Sequence, residues 1–230
     1  GKREENLRGY FAAISAMDEQ IGRLLDAVEE QGLADNTVIL FTADNGMSMG
    51  QHGVWGKGNG TFPMNMYDSA VKVPFLISWP GHIPANTVCS EMISACDLLP
   101  TILKLTGLSD KQPTGLPGRS FTELLKGEQR EHRDEVVIFD EYGPVRMIRT
   151  KEWKYVHRYP YGKHELYHLV DDPGEEKNLY GLPEYKKLVT QLKGQDGKIG
   201  SAPIRPGHRR RALRGQRLRT ALPPGCVCNL

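Results

Sequence analysis

Apolar residues mark out the first two elements of this chain. Phe11, Ile14, Ile21, Leu25 and Val28 recur at steps of three, four and seven, with Asp18, Glu19, Arg23, Asp26, Glu29 and Glu30 between them. That spacing predicts an amphipathic helix over residues 9–31, with Gly32 as a left-handed C-terminal cap. After the Asp35-Asn36 turn the helical period disappears, and residues 37–41, TVILF, form one short run rich in β-branched and aromatic side chains. Such a run predicts a strand buried on both faces, as in the middle of a parallel sheet. A helix that leads into a buried strand is half of an α/β unit.

Residues 71–79, VKVPFLISW, read as a second strand. Pro74 cannot donate to a ladder, so an edge position, a bulge or a start after the proline is expected. Asp97 is placed to cap a helix over Leu98–Leu105, in which Pro100 falls in the first turn and Gly107 closes the end. Residues 120–126 form a short helix ending at Gly127. From residue 135 the texture changes. Residues 136–139, 145–150, 153–157 and 165–169 are strand-like runs divided by Gly143-Pro144, Lys151-Glu152 and residues 160–163. Spacers this short imply antiparallel pairing, because a parallel crossover needs a dozen or more residues. A last helix is predicted over residues 184–192. The fold class is therefore α/β: part of a mixed or mainly parallel sheet with flanking helices, plus a small antiparallel sheet subdomain. The expected division is a core portion over residues 1–134, the antiparallel subdomain with its terminal helix over 135–193, and a basic, poorly structured tail over 194–230.

Charge sets that tail apart. The formal net charge is +2, but residues 194–230 hold eight Lys or Arg against Asp196 alone, a local +7, which leaves 22 basic and 27 acidic residues upstream, or −5. Any affinity for polyanions is thereby confined to the arginine-rich residues 205–219. No apolar run reaches the length of a membrane span. The opening GKREENLRGYF carries neither an apolar signal stretch nor an initiator methionine, which fits a processed product or a piece of a longer chain, and it gives no indication of localisation. Cys89, Cys96, Cys226 and Cys228 are too few and too unevenly spaced for a disulfide framework, and Cys89 and Cys96 read as small core residues.

Candidate chemistry collects just past the first strand. Asp44 and Asn45 stand at its carboxyl end, where ligands of open α/β sheets bind, and adjacent oxygen donors suit a hard divalent cation. The plain alternative is an Asp-Asn-Gly turn whose side chains bond to local backbone. Gly46, Gly50, Gly53, Gly56, Gly58 and Gly60 follow, interleaved with His52, Trp55 and Lys57. Lys57 could reach an anionic oxygen or simply face solvent, and His52 could act as an acid, contact a leaving group or be a polar loop residue.

FTADNG, then GQHGVWGKG and YDSAVKVPFLISWPG, closely resemble the second half of the sulfatase family within the alkaline phosphatase superfamily. The resemblance extends back through MDEQIGRLL and forward through DLLPTILKLTG, GRSFTELLKG and ELYHLVDDPGEEKNL, covering about residues 8–193. It implies an alkaline-phosphatase-like core, sulfate-ester hydrolysis and a bound divalent cation, calcium first, with magnesium or manganese also open. It further implies that Asp44 and Asn45 are metal ligands, that Lys57 contacts the sulfate, and that His52 sits in a variable loop beside the substrate or leaving group. Tyr142, Arg146, His157, Arg158, Tyr159 and His164 are then available to a substrate cleft.

This sequence departs from the family pattern at the nucleophile. Sulfatases form it by oxidising the cysteine or serine of a C/S-x-P-x-R motif to formylglycine, and no such motif occurs here: Cys89 precedes Ser-Glu, Cys96 precedes Asp-Leu, and Cys226 precedes Val-Cys. The expectation is a portion of a sulfatase that is inactive alone. The alternatives are a phosphodiesterase or phosphonate hydrolase of the same superfamily, and a nonenzymatic binding or structural module.

Overall fold

The computed structural model describes residues 1–128, 132–140, 145–159 and 162–194. The tail with residues 205–219, to which any polyanion affinity was confined by the charge pattern, together with Tyr142 and the Gly143-Pro144 turn, lies outside the described residues.

Helix α1 spans Lys2–Glu30, starting a full two turns before the predicted residue 9. Its end follows the sequence expectation: Gly32 adopts φ 64°, its amide donates to Glu29 O at 2.9 Å, and the Leu33 amide reaches Val28 O at 3.0 Å. This paired geometry satisfies the carbonyls that a helix end leaves open. The apolar stripe of α1 has no covering partner among the described residues; Phe11 is 60% exposed and Leu24 67%.

Strand β1, Ile39–Thr42, is where expectation and structure part. It pairs antiparallel with β4, Phe75–Ser78, in register from Ile39 opposite Ser78 to Thr42 opposite Phe75. Between them lie two very short strands, β2 (Ser48–Met49) and β3 (Trp55–Gly56), paired as a miniature hairpin, and the helical turn α2 (Asp68–Val71). The prediction of a β1 buried on both faces in a parallel sheet is corrected: its residues are half-buried or exposed, and its only partner among the described residues is antiparallel. The physical reason is that one neighbour satisfies one edge, and nothing described packs over Leu76, which is 59% exposed. Pro74 acts as expected, with β4 beginning immediately after it.

Helix α3, Leu98–Leu105, forms as predicted, but Asp97 does not cap it through its side chain. Ser94 and Asp97 instead make a reciprocal capping box on a 3-10 turn just upstream. The Asp97 carboxylate, fully buried, accepts from the amides of Ser94 (2.9 Å) and Arg119 (2.7 Å) and from Arg133 Nε (2.8 Å), with Arg133 Nη2 also paired to it. Gly118 makes this possible, because a Cβ there would lie 1.9 Å from Cys96 O. Helix α4 is confined to Thr122–Leu125. Cys89 is exposed and Cys96 half-buried, so neither is the core residue expected.

The predicted antiparallel sheet is present as a four-stranded meander: β5 (Glu135–Phe139), β6 (Val145–Thr150), β7 (Trp153–Arg158) and β8 (Glu165–His168). Helix α5 spans Lys186–Gly194, after a 3-10 turn over Pro183–Tyr185. Alternation along the strands sends Val136, Ile138, Val145, Met147 and Val156 toward Met66, Ala70 and Val71 around α2. The opposite face packs Ile148, Tyr155 and Leu166 against Leu179 and Leu192. The sheet is therefore covered on both sides, and its inner face is clamped to the segment carrying the candidate site.

Candidate active site

Gly46 fixes the loop after β1. Its amide donates to Ala70 O at 2.9 Å, and a Cβ at this position would lie 2.2 Å from Ser69 O, so only glycine allows the loop to approach α2 this closely. Ser48 and Ser69 share a 2.7 Å hydroxyl contact next to it. Asp44 and Asn45 are thereby held at the open end of β1. Asp44 is exposed and makes no hydrogen bond or ion pair within the described residues.

Asn45 and Lys57, twelve positions apart in sequence, are brought together. Lys57 Nζ donates to Asn45 Oδ1 at 3.2 Å, while Asn45 Nδ2 donates to Gly46 O at 2.9 Å. Buried Asn65 anchors the lysine's backbone, its Nδ2 donating to Gly58 O at 3.1 Å and, at 3.4 Å, to Lys57 O. His52 lies apart from this trio. It adopts φ 52° and stacks on Tyr67, ring centroids 3.7 Å apart and planes within 3°. No hydrogen bond or ion pair within the described residues joins it to Asp44, Asn45 or Lys57.

As a cation site the donor set is incomplete. Asp44 and Asn45 supply oxygen donors of the right kind, but no group of three or more His, Cys, Asp or Glu suited to a metal occurs among the described residues. Calcium takes about six to eight oxygens, so these two cover a minority of such a shell.

Beneath this loop lies a charged cluster that the linear order of the residues does not reveal. Lys154 on β7, 0% exposed, contacts Asp68 Oδ1 and Glu175 Oε1 and donates to Met66 O at 3.0 Å. Arg149 on β6 holds both Asp68 oxygens, at 3.2 and 3.1 Å, and Glu175 Oε2 accepts from the Asp68 amide at 2.6 Å. Burial alone would raise the Asp68 carboxyl, but Lys154 and Arg149 outweigh it and hold it below the usual carboxylate range. Burial dominates at Glu175 and raises it despite Lys154. Strand parity was the available signal: Lys154 shares the inward face of β7 with Val156. Beside the cluster, burial pushes up the hydroxyls of Tyr67 and Tyr167.

Residues 50–199 match the family model described as "N-sulphoglucosamine sulphohydrolase, C-terminal". The chain belongs to the sulfatase family. Within the alkaline phosphatase superfamily, its similarity is to the C-terminal portion of sulfatases, whose α/β fold it shares. It is 33% identical over 201 residues to an ulvan-active sulfatase of Formosa agariphila, covering 83% of this chain and 38% of that protein. Among solved structures, it superposes at TM-score 0.72 and 29% identity on a protein in complex with its substrate D-glucosamine-2-N,6-O-disulfate, covering 83% of this chain and 40% of that one. It also superposes at TM-score 0.66 and 28% identity on the phosphonate monoester hydrolase of Agrobacterium radiobacter, covering 79% and 40%. The sulfatase chain described here thus spans about two fifths of the length of these proteins. No helix among its described residues is long and apolar enough to cross a membrane.

Proposed function

We propose that this chain supplies the cation- and sulfate-contacting half of a sulfuric ester hydrolase. The observation that carries the reading is the contact between Lys57 Nζ and Asn45 Oδ1, which puts a cationic donor against a candidate metal ligand at the end of β1. Asp44 and Asn45 would hold a divalent cation, calcium first. Bound there, the cation would supply Lewis-acid polarisation of the ester oxygens. Lys57 would donate to a sulfate oxygen as negative charge grows on it, a role suited to a flexible ammonium. His52, held by Tyr67, would border the leaving group. Formylglycine is the nucleophile expected of the whole enzyme, and the C/S-x-P-x-R motif that forms it does not occur in these 230 residues. The sulfated saccharide bound by one structural neighbour makes a sulfated sugar the favoured substrate class.

Two measurements test this reading. The purified chain is expected to show no turnover of an aryl sulfate, and hydrolysis at ordinary enzyme rates would sink the assignment of the nucleophile elsewhere. Calcium titration should show weak binding that Asp44→Ala abolishes. Lys57→Met should tighten it roughly tenfold, because the ammonium that competes for Asn45 Oδ1 is gone. Unchanged calcium affinity in Asp44→Ala would remove the metal assignment.

The phosphonate monoester hydrolase neighbour supports a second reading, phosphorus-ester chemistry at the same cation and lysine. Recombining this chain with the nucleophile-bearing part of its parent and comparing sulfate with phosphonate esters decides between them.

A further inference from the structure

Trp55 opens β3 two residues before Lys57, and the miniature hairpin fixes its backbone. Met49 pairs opposite it, the Gly50 amide donates to Val54 O at 2.8 Å, and Val54 itself is buried. The indole lies against Gly50: a Cβ added there would stand 3.3 Å from Trp55 Cζ2, 3.4 Å from Cε2 and 3.6 Å from Nε1. Three adjoining ring atoms at such similar distances put that point over one face of the indole. Gly50 also has φ 104°, so both its backbone and the seat it gives the ring call for glycine.

The rest of the ring is open. Trp55 is 41% exposed, stacks on no other ring among the described residues, and its Nε1–H meets no acceptor there. Trp79 shows the contrast, its Nε1 donating to Asp35 O at 2.9 Å and its ring stacked on His82 at 3.9 Å. An indole with one face seated on backbone, a bare opposite face and a free donor at its edge is suited to a pyranose, which offers a C–H face to the ring and hydroxyl acceptors to the N–H. Two trans peptide units separate Trp55 from Lys57, so their Cα atoms are at most about 7.6 Å apart, a span that one sugar ring bridges. Lys57 continues the extended path with φ −88° and ψ −164°, and the Gly60 amide holds its carbonyl at 2.7 Å.

We propose that Trp55 is a specificity-determining residue, the stacking platform for the sugar ring whose sulfate group Lys57 contacts. The platform follows from the seating of the indole on Gly50; that its sugar carries the sulfate rests on the role proposed for Lys57 above. A free sulfate ion engages the Lys57 end alone, whereas a sulfated sugar engages both ends. The indole thereby turns affinity for an anion into preference for a sulfated saccharide.

The test is NMR of the 230-residue chain in calcium-containing buffer, following the Trp55 indole N–H and the Lys57 backbone amide. The probes are D-glucosamine-2-N,6-O-disulfate, unsulfated D-glucosamine, phenyl sulfate and sodium sulfate. Trp55→Phe identifies the indole signal among those of the three tryptophans. The disulfated sugar should shift both signals with one dissociation constant, about tenfold or more below those of D-glucosamine and sodium sulfate. Trp55→Ala should cut the preference for disulfated sugar over sodium sulfate, read at the Lys57 amide, about tenfold. Movement of the Lys57 amide with a still indole would overturn the platform and leave the sulfate role of Lys57 standing. Movement of the indole with a still Lys57 amide would overturn that role and the link between the two residues, and stillness of both would overturn both. An equal preference for phenyl sulfate would overturn the saccharide assignment.

Discussion

Lys154→Met should lower the unfolding free energy of this chain by about 3–5 kcal/mol, the cost of stranding buried charge when one partner of a buried ion pair is removed. Lys154 is the only cation in contact with both Asp68 and Glu175 among the described residues, and Arg149 reaches Asp68 alone. Without the ammonium, Glu175 keeps a buried carboxyl whose remaining bond is to the Asp68 amide. Urea unfolding followed by tryptophan fluorescence measures the loss. Adding Glu175→Gln to Lys154→Met should recover at least about 1 kcal/mol, because the second change removes the charge that the first one orphaned. A loss below about 1 kcal/mol for Lys154→Met would mean that water reaches the cluster and that it does not clamp the sheet to the loop. The consequence for the site is direct: Asp68 opens α2, α2 receives the Gly46 amide, and Gly46 fixes Asp44 and Asn45.

Asp97→Ala should cost about 3–4 kcal/mol, since it strands the half-buried Arg133 guanidinium and the amides of Ser94 and Arg119 together. The same carboxylate gives the fold an acid limit. Burial would raise Asp97, but Arg133 and the two amides overcome it and hold the group below the usual range, as Lys154 and Arg149 do for Asp68. A depressed carboxyl contributes stability that is present above its unfolded-state pKa, near 4, and lost as pH falls through the lower folded value. His157, lowered to about 4 chiefly by its partial burial, acts in the same direction at higher pH: the fold favours its neutral form, so stability falls as pH drops from about 6.5 toward 4. Glu175, raised by burial, works against both. Unfolding free energy measured from pH 7 to 3 should therefore decline in two stages, and Asp97→Ala should flatten the lower one.

The helical period, the Gly32 cap, the start of β4 after Pro74 and the antiparallel meander after residue 135 were all legible in the sequence, because each is set by local sterics or by spacers too short for another topology. The sulfatase resemblance was equally legible in FTADNG, GQHGVWGKG and the segments that follow, and family similarity bears it out. Charge placement was less so. Asp97 was read as a helix cap and proved to be a buried hub, because its partners Arg119 and Arg133 arrive from a later segment. Lys154 is not legible in the sequence, because a lysine in a short strand ordinarily faces water and only the sheet's inward parity shows otherwise.

By itself, then, the sequence determined the type and approximate extent of most elements, the family, and Asp44, Asn45, His52 and Lys57 as the residues to examine. Tertiary structure decided the company each one keeps: Lys57 against Asn45, His52 against Tyr67, Lys154 between two carboxylates, and β1 beside an antiparallel neighbour in place of a parallel one. The reason is range. Periodicity and turn chemistry act over a few residues and are written locally, whereas burial and ion pairing join positions as distant as Asp68 and Glu175, whose contact exists only once the sheet has folded over α2.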